Sequence, residues 1–273
     1  MPVFVNLPLS YAAQHPAYVD MFLARNICPE LGMDTVAVQE LSEAWHRALA
    51  KRFADAGLTC AVHLPFFDLS PGSMNDAVLD ASRRTLRRGA ELATLYAPHH
   101  MVGHPTFNRG EHEPRFEEWL RRSAQTWAGV LEAGRAPLYL ENTYERSAGS
   151  IVQLLERLGT GSQRAGFCLD VGHWHAFGGG SRRNTLSEWL GSIGRHLGHL
   201  HLHDNDGTED SHAGLGAGSI PLDDLLMGIR ELTDRWDIRP SATLEPHTVE
   251  AFETSMAYLA HRPEWSRALG EMA

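Results

Sequence analysis

The sequence predicts a single-domain α/β protein, a (β/α)8 TIM barrel spanning residues 1–273. Three observations carry that prediction. Eight apolar, strand-like stretches alternate with helix-like ones of similar length, the pattern of parallel strands covered by helices. Eight such units in 273 residues suit a closed barrel better than an open doubly wound sheet, and no GxGxxG follows the first strand. Side chains of metal-binding type recur where the strands end, on the face at which barrels carry their sites.

In chain order, residues 2–8 read as the first strand, closed by Pro8. Residues 17–26 form a helix with Tyr18, Met21, Phe22 and Ala24 on its apolar side. Residues 29–33 give a short second strand. Ser42 supplies the N-cap of a helix that Gly57 stops just after Ala56. Residues 59–64 are the third strand, ending in His63-Leu-Pro-Phe66. A long amphipathic helix begins at Ser73 and runs to Tyr96, with Leu79, Leu86 and Leu92 in its stripe. Residues 100–104 make the fourth strand, and a charged helix covers 115–133. Residues 137–142 are the fifth strand, followed by a helix over 148–158 that Gly159 ends. Residues 166–171 are the sixth strand, with Gly172-His173 turning out of it. A helix over 186–197 leads into the seventh strand, 199–203. Pro221 takes the N1 position of a helix to Thr233, residues 242–246 are the eighth strand, and 248–260 form the closing helix.

With 43% hydrophobic and 21% charged residues, the chain has the composition of a globular protein. A net charge of -10 argues against obligatory binding of duplex DNA, which needs a basic face. Cys28, Cys60 and Cys168 form no CxxC pair and read as reduced, buried thiols. The uncharged N-terminus lacks the basic region of a signal peptide, and no apolar run reaches membrane-spanning length. Together these suggest a cytoplasmic protein.

The densest functional signal is His199-Leu-His201-Leu-His203-Asp204-Asn205-Asp206-Gly207, with Asp210-Ser-His212 following. Alternate side chains of a strand face opposite ways, so the three imidazoles share one face and the leucines the other. For one histidine, a plain surface strand would explain the pattern. Three in step, trailed by an Asp-x-His pair, point to metal ligands. Other strands end at His63, His104, Glu141, Asp170 with His173, and Glu245. Singly, each has an ordinary use as a core histidine, a helix cap or an arginine partner. Together, acids at the mouth of an apolar barrel require compensating charge, and only 24 Lys and Arg serve 34 acids.

Nitrogen and oxygen donors without thiolate suit Zn, Mn, Co or Fe. Nine candidates exceed the needs of one ion. Either two or three ions bind, with Glu141 as a bridge, or one ion binds beside several substrate-facing histidines. In the second case two carboxylates could flank a polarised carbonyl and carry a proton between adjacent carbons. Phe66 and Phe67 form an apolar substrate wall or simply pack in the core. Asn142, His199, His203 and Asn205 are candidates to support the ligands or touch substrate.

These motifs resemble the xylose isomerase-like barrel superfamily, which includes endonuclease IV and the sugar epimerases. The resemblance spans His63 to Glu245. It rests on Val-Gly-His104-Pro, Leu-Glu141-Asn142, Leu-Asp170-Val-Gly-His173, His201-Leu-His-Asp204-Asn, Asp210-Ser-His212 with Gly216-Ala-Gly218-Ser-Ile, and Leu-Glu245-Pro, in that order. It implies two precedents. In the epimerase and isomerase branch, Glu141, Asp170, His201 and Glu245 would hold one divalent ion, and the two glutamates would also move a proton through an enediolate. In the endonuclease IV branch, all nine positions would hold three zinc ions that hydrolyse a phosphodiester at an abasic site.

This chain keeps all nine residue types, yet carries His212 where epimerases are expected to have a substrate-binding arginine. The turn after His63 is similar to the sugar-isomerase version rather than to a DNA-inserting one. The expectation is a sugar or sugar-phosphate isomerase/epimerase-like enzyme with one to three divalent ions, Zn or Mn. Glu141 and Glu245 would carry the proton. A multinuclear phosphoesterase, with an abasic-site endonuclease as its best-defined form, is the second reading.

Overall fold

The computed structural model describes residues 3–159 and 164–270. Eight strands follow one another around a closed parallel barrel: β1 (Val3–Pro8), β2 (Cys28–Gly32), β3 (Ala61–His63), β4 (Met101–Gly103), β5 (Leu138–Glu141), β6 (Ala165–Asp170), β7 (Leu197–Leu202) and β8 (Ser241–Leu244). β8 closes on β1 by pairing Ala242 with Val3 and Leu244 with Val5, so the sheet has no free edge. The β6–β7 ladder shifts register between Phe167 and Cys168.

Local chemistry explains most boundaries. Ser42 accepts the Trp45 N–H at 3.2 Å and starts the helix Glu43–Asp55, as the sequence indicates. The long helix begins at Asp76 rather than Ser73, because Asn75 is the residue that caps it, accepting the Ala77 N–H at 3.0 Å. Ser73 instead accepts from the Asn75 N–H. Pro221 precedes its helix, Leu222–Trp236, rather than occupying the first turn. Six short helices were not legible in the sequence: Leu9–Gln14, Thr35–Gln39, Arg109–His112, Val171–Ala176, Gly180–Arg183 and Pro263–Ala268. At four to six residues they show no usable periodicity.

The apolar core lies between the barrel and its helices, as the outward Leu200 and Leu202 of β7 illustrate. Trp127 of the helix Phe116–Gly134 is fully buried there, and its ring lies so near Gly103 that a Cβ would sit 2.6 Å away. Trp127→Ala is expected to cost about 3–5 kcal/mol, read from denaturant midpoints; a cost under about 1 kcal/mol would contradict this packing. Inside the barrel the filling is unusual. Branched aliphatics dominate most such interiors, but here Glu30, His100, His199 and His201 are all buried. The three cysteines are free thiols; Cys60 and Cys168 are buried as expected, whereas Cys28 is only half-buried. Among the described residues, no helix is long and apolar enough to cross a membrane.

Candidate metal centre

Six strand ends bring their candidate ligands to one mouth. His63, Glu141 and Asp170 close β3, β5 and β6, His104 and Glu245 follow β4 and β8, and Asp210 with His212 come from the loop after β7. His201 points inward from β7. Asp170 caps the helix Val171–Ala176, accepting the His173 N–H at 2.6 Å, and so also fixes where His173 stands.

Glu141 is the centre of the arrangement. Its Oε2 lies 3.1 Å from Nε2 of both His63 and His104 and 3.3 Å from His201 Nδ1, while its Oε1 lies 3.1 Å from His173 Nδ1. His201 Nδ1 also lies 3.3 Å from Glu245 Oε1 and 3.7 Å from Asp170 Oδ2. Asp210 Oδ2 lies 3.0 Å from His212 Nε2 and 3.3 Å from His173 Nε2. All nine residues read as ligands in the sequence therefore meet. Asp170 and His201 lie beneath the floor, and the others face an open cavity of about 1920 Å³.

The hydrogen bonds test whether cations suit this donor set. His63, His173 and His212 each turn Nδ1 onto a main-chain oxygen, of Leu64 (2.9 Å), Asn142 (2.9 Å) and Glu245 (2.7 Å). A carbonyl can only accept, so each Nδ1 carries the hydrogen and each Nε2 presents a lone pair to a carboxylate. Lone pair facing lone pair is repulsive unless a cation or a proton lies between. The 3.0–3.3 Å separations are those of neighbouring ligands on one ion, since bonds of about 2.0–2.2 Å at tetrahedral angles put donors about 3.3 Å apart. His201 is fully buried with no aligned hydrogen bond at either nitrogen, as a coordinating imidazole would be. The residues fit divalent ions.

Residues 26–260 match the family described as the xylose isomerase-like TIM barrel. The chain belongs to that family. It is 27% identical over 180 residues to the uncharacterized protein MJ1311 of Methanocaldococcus jannaschii; the alignment covers 63% of this chain, which spans only 60% of that relative's length. Among solved structures, the TTHB071 protein from Thermus thermophilus, soaked with ZnCl2, superposes with a TM-score of 0.74 at 25% identity, covering 96% of this chain and 97% of the other. A D-tagatose 3-epimerase-like protein gives 0.69 at 20% identity over 87% and 90% of the two chains, a likeness of fold.

Within this family barrel the supporting residues divide clearly. Asn142 grips the Asp170 main chain, accepting its N–H at 3.0 Å and donating to its carbonyl at 2.9 Å. Asn205 donates to the Gly172 carbonyl and accepts the Gly207 N–H, so it shapes the loop after β7. His203 sets Nε2 at 3.2 Å from both Asp170 oxygens and stacks on His212 at 3.8 Å. Phe66 lines the cavity with its ring 4.4 Å from that of His104, the wall arrangement rather than the core one. His199 does not line the cavity. It is sealed in the barrel against Ser241 (2.7 Å) and Thr243 (2.9 Å), because period-two alternation sets a residue's face but not its depth.

Sequence reasoning missed Glu30 and His100. Glu30 Oε2 accepts from Thr243 Oγ1 at 2.6 Å and lies 3.2 Å from His199 Nε2 and 3.5 Å from His100 Nε2; its Oε1 lies 3.0 Å from His201 Nε2. The available signal was one acid inside the apolar run Cys28-Pro-Glu30-Leu-Gly32. His247, stacked 3.8 Å from His212 at the mouth, was also missed.

Without metal, protons take the role of the cation. Burial opposes charge on Glu141, yet His104 and His201 hold it well below the usual carboxylate range; His173 and His203 do the same for Asp170 against its burial. Burial disfavours charge on His212, but Asp210 and Glu245 outweigh it and push its pKa up to about 9; His173 rises similarly, against burial, through Asp170 and Asp210. A histidine raised above its ordinary value of 6.5 stabilises the fold below 6.5, and that contribution is lost as pH rises through the folded value. EDTA-treated protein should therefore lose thermal stability between about pH 6.5 and 9. Zn or Mn, which needs bare nitrogens, should bind more tightly over the same interval. A metal-free melting temperature that rises across it would contradict the protonated cluster.

Proposed function

We propose that the chain is a metal-dependent hydrolase of phosphoesters on a sugar-containing substrate, working with two or three ions, Zn or Mn. One observation carries this reading: His63 Nε2 and His104 Nε2 on one side and His201 Nδ1 on another converge on Glu141 Oε2 at 3.1–3.3 Å, so donors of two separate groups would share this one carboxylate. His63 and His104 would hold one ion with it, Asp170, His201 and Glu245 a second, and His173, Asp210 and His212 a third. Ions so held would neutralise phosphate charge and supply a nucleophilic water at neutral pH. The protein's own part is to fix these ligands: Asn142 and His203 immobilise Asp170, and carbonyl oxygens orient three of the imidazoles.

Sugar or sugar-phosphate isomerisation or epimerisation through an enediolate is the second reading. It is favoured by the placement of Glu141 and Glu245, each 3.3 Å from His201 Nδ1, so that two carboxylates flank one ion site. Burial raises the Glu245 carboxyl despite the pull of His201, and Asp170 and Glu141 add to the rise, as suits a proton carrier. The 3-epimerase likeness of the solved structures belongs with this reading.

Metal analysis followed by two assays separates them. Two or three equivalents with turnover of bis(p-nitrophenyl) phosphate supports the hydrolase. One equivalent, with solvent deuterium entering C3 of D-tagatose and no ester cleavage, would replace it by the epimerase. Abasic duplex DNA is expected to stay intact, given the net charge of -10. We read residues 1–273 as one domain, and a cytoplasmic location from the three free thiols.

A further inference from the structure

The cavity rim carries a smaller recess that the metal centre does not use. It measures about 290 Å³ and is bounded by Arg146, Phe177, Gly178, Gly179, Arg182 and Arg183. Its walls come from two different strand–helix connections: Arg146 lies after β5, and residues 177–183 follow the short helix after β6. Arg183 ties the walls together by donating to the Arg146 carbonyl oxygen. All three arginines are exposed, and among the described residues none of them forms an ion pair with a carboxylate.

Guanidinium groups gathered without an acid between them repel one another. The arrangement becomes favourable when an anion sits among them, since guanidinium forks match pairs of phosphate oxygens. It is also local, because the whole chain carries a net charge of -10. Gly179 keeps one wall of the recess bare. Gly179 has φ +62, and a Cβ there would lie 3.3 Å from Arg182 Nη2, filling the space the guanidinium occupies.

The recess adjoins the cavity of the metal centre. Arg146 and Phe177 line both cavities, and the Phe177 ring packs nearly parallel to that of His173 at 5.4 Å. On its other side Phe177 meets Tyr144 at 4.7 Å, a ring that is 71% exposed. Two rings left open between a cationic recess and a metal site suit a flat, apolar portion of a ligand.

We propose that this recess is an anion subsite that takes a second phosphate of the substrate, beside rings that stack its flat portion. The substrate is then a nucleotide-like phosphate ester and not a free monosaccharide. The identity of the reacting group rests on the phosphoester reading above, whereas binding at the recess requires neither metal nor turnover.

The test is calorimetric binding of ADP, adenosine and inorganic phosphate to the full chain in EDTA. ADP is expected to bind at least about tenfold more tightly than either other probe, and to weaken as salt rises. Arg146→Gln and Arg182→Gln should each weaken ADP by roughly tenfold, without changing adenosine binding or the melting temperature. Equal affinity for ADP and adenosine, or unchanged ADP affinity in both variants, would overturn the subsite. Phosphate binding as tightly as ADP would overturn the nucleotide-like class. ADP binding in EDTA with no ester turnover by the metal-loaded enzyme would sink the hydrolase reading and leave the recess standing; turnover without ADP binding would do the reverse.

Discussion

Glu141→Gln is expected to lower turnover at least about a thousandfold and to reduce bound metal to one equivalent or none. The substitution keeps the side chain's shape, so the cavity floor should remain filled. What it removes is the negative charge at the point where His63, His104 and His201 converge on one oxygen. It also places an N–H donor, or a single neutral oxygen, where cations would share a carboxylate. Glu141 is almost wholly buried, so water offers no substitute for the lost charge. Metal per chain, measured on folded protein, is the deciding quantity. Full metal content with full activity would reduce Glu141 to a structural acid and remove the basis of the multinuclear reading.

Glu30→Gln should weaken metal binding about 10–100-fold through His201, although Glu30 is not among the nine residues assigned to ions above. His201 turns Nδ1 toward Glu141, Asp170 and Glu245 and Nε2 toward Glu30. A carboxylate at Nε2 keeps the hydrogen on that nitrogen and leaves the Nδ1 lone pair for a cation. Thr243 already donates to Glu30 at 2.6 Å, and the Nε2 atoms of His199 and His100 lie 3.2 and 3.5 Å from the same oxygen, so the acid is solvated by the barrel itself. An amide in its place can turn its own N–H toward His201 and drive the imidazole to the opposite tautomer. Chelator competition reads the affinity directly, and melting in EDTA separates it from a loss of fold. Unchanged affinity in a folded Glu30→Gln protein would show that His201 needs no such support.

The convergence of the nine candidate ligands was legible because barrel topology converts a one-dimensional feature, the last polar residue of a strand, into a common location. His63, Glu141 and Asp170 are strand-terminal residues, and parallel strands around a closed sheet end on one face. The strand-seven alternation held for the same reason, with His199 and His201 inside and Leu200 and Leu202 outside. Depth was not legible. His199 lies two residues before His201, and only the stagger of neighbouring strands decides that one is sealed against Ser241 while the other lies beneath the cavity.

The sequence by itself therefore determined the barrel, the ends at which its chemistry gathers, and the donor types that call for a divalent cation. Each of these follows from side-chain period and chain order, which are local properties. The tertiary structure alone decided that Glu141 is shared among four imidazoles, that Glu30 stands behind His201, and that Arg146 joins Arg182 and Arg183 in one recess. Those groupings join residues from different strands and connections, and they depend on the barrel's stagger and on loop paths that no local pattern records.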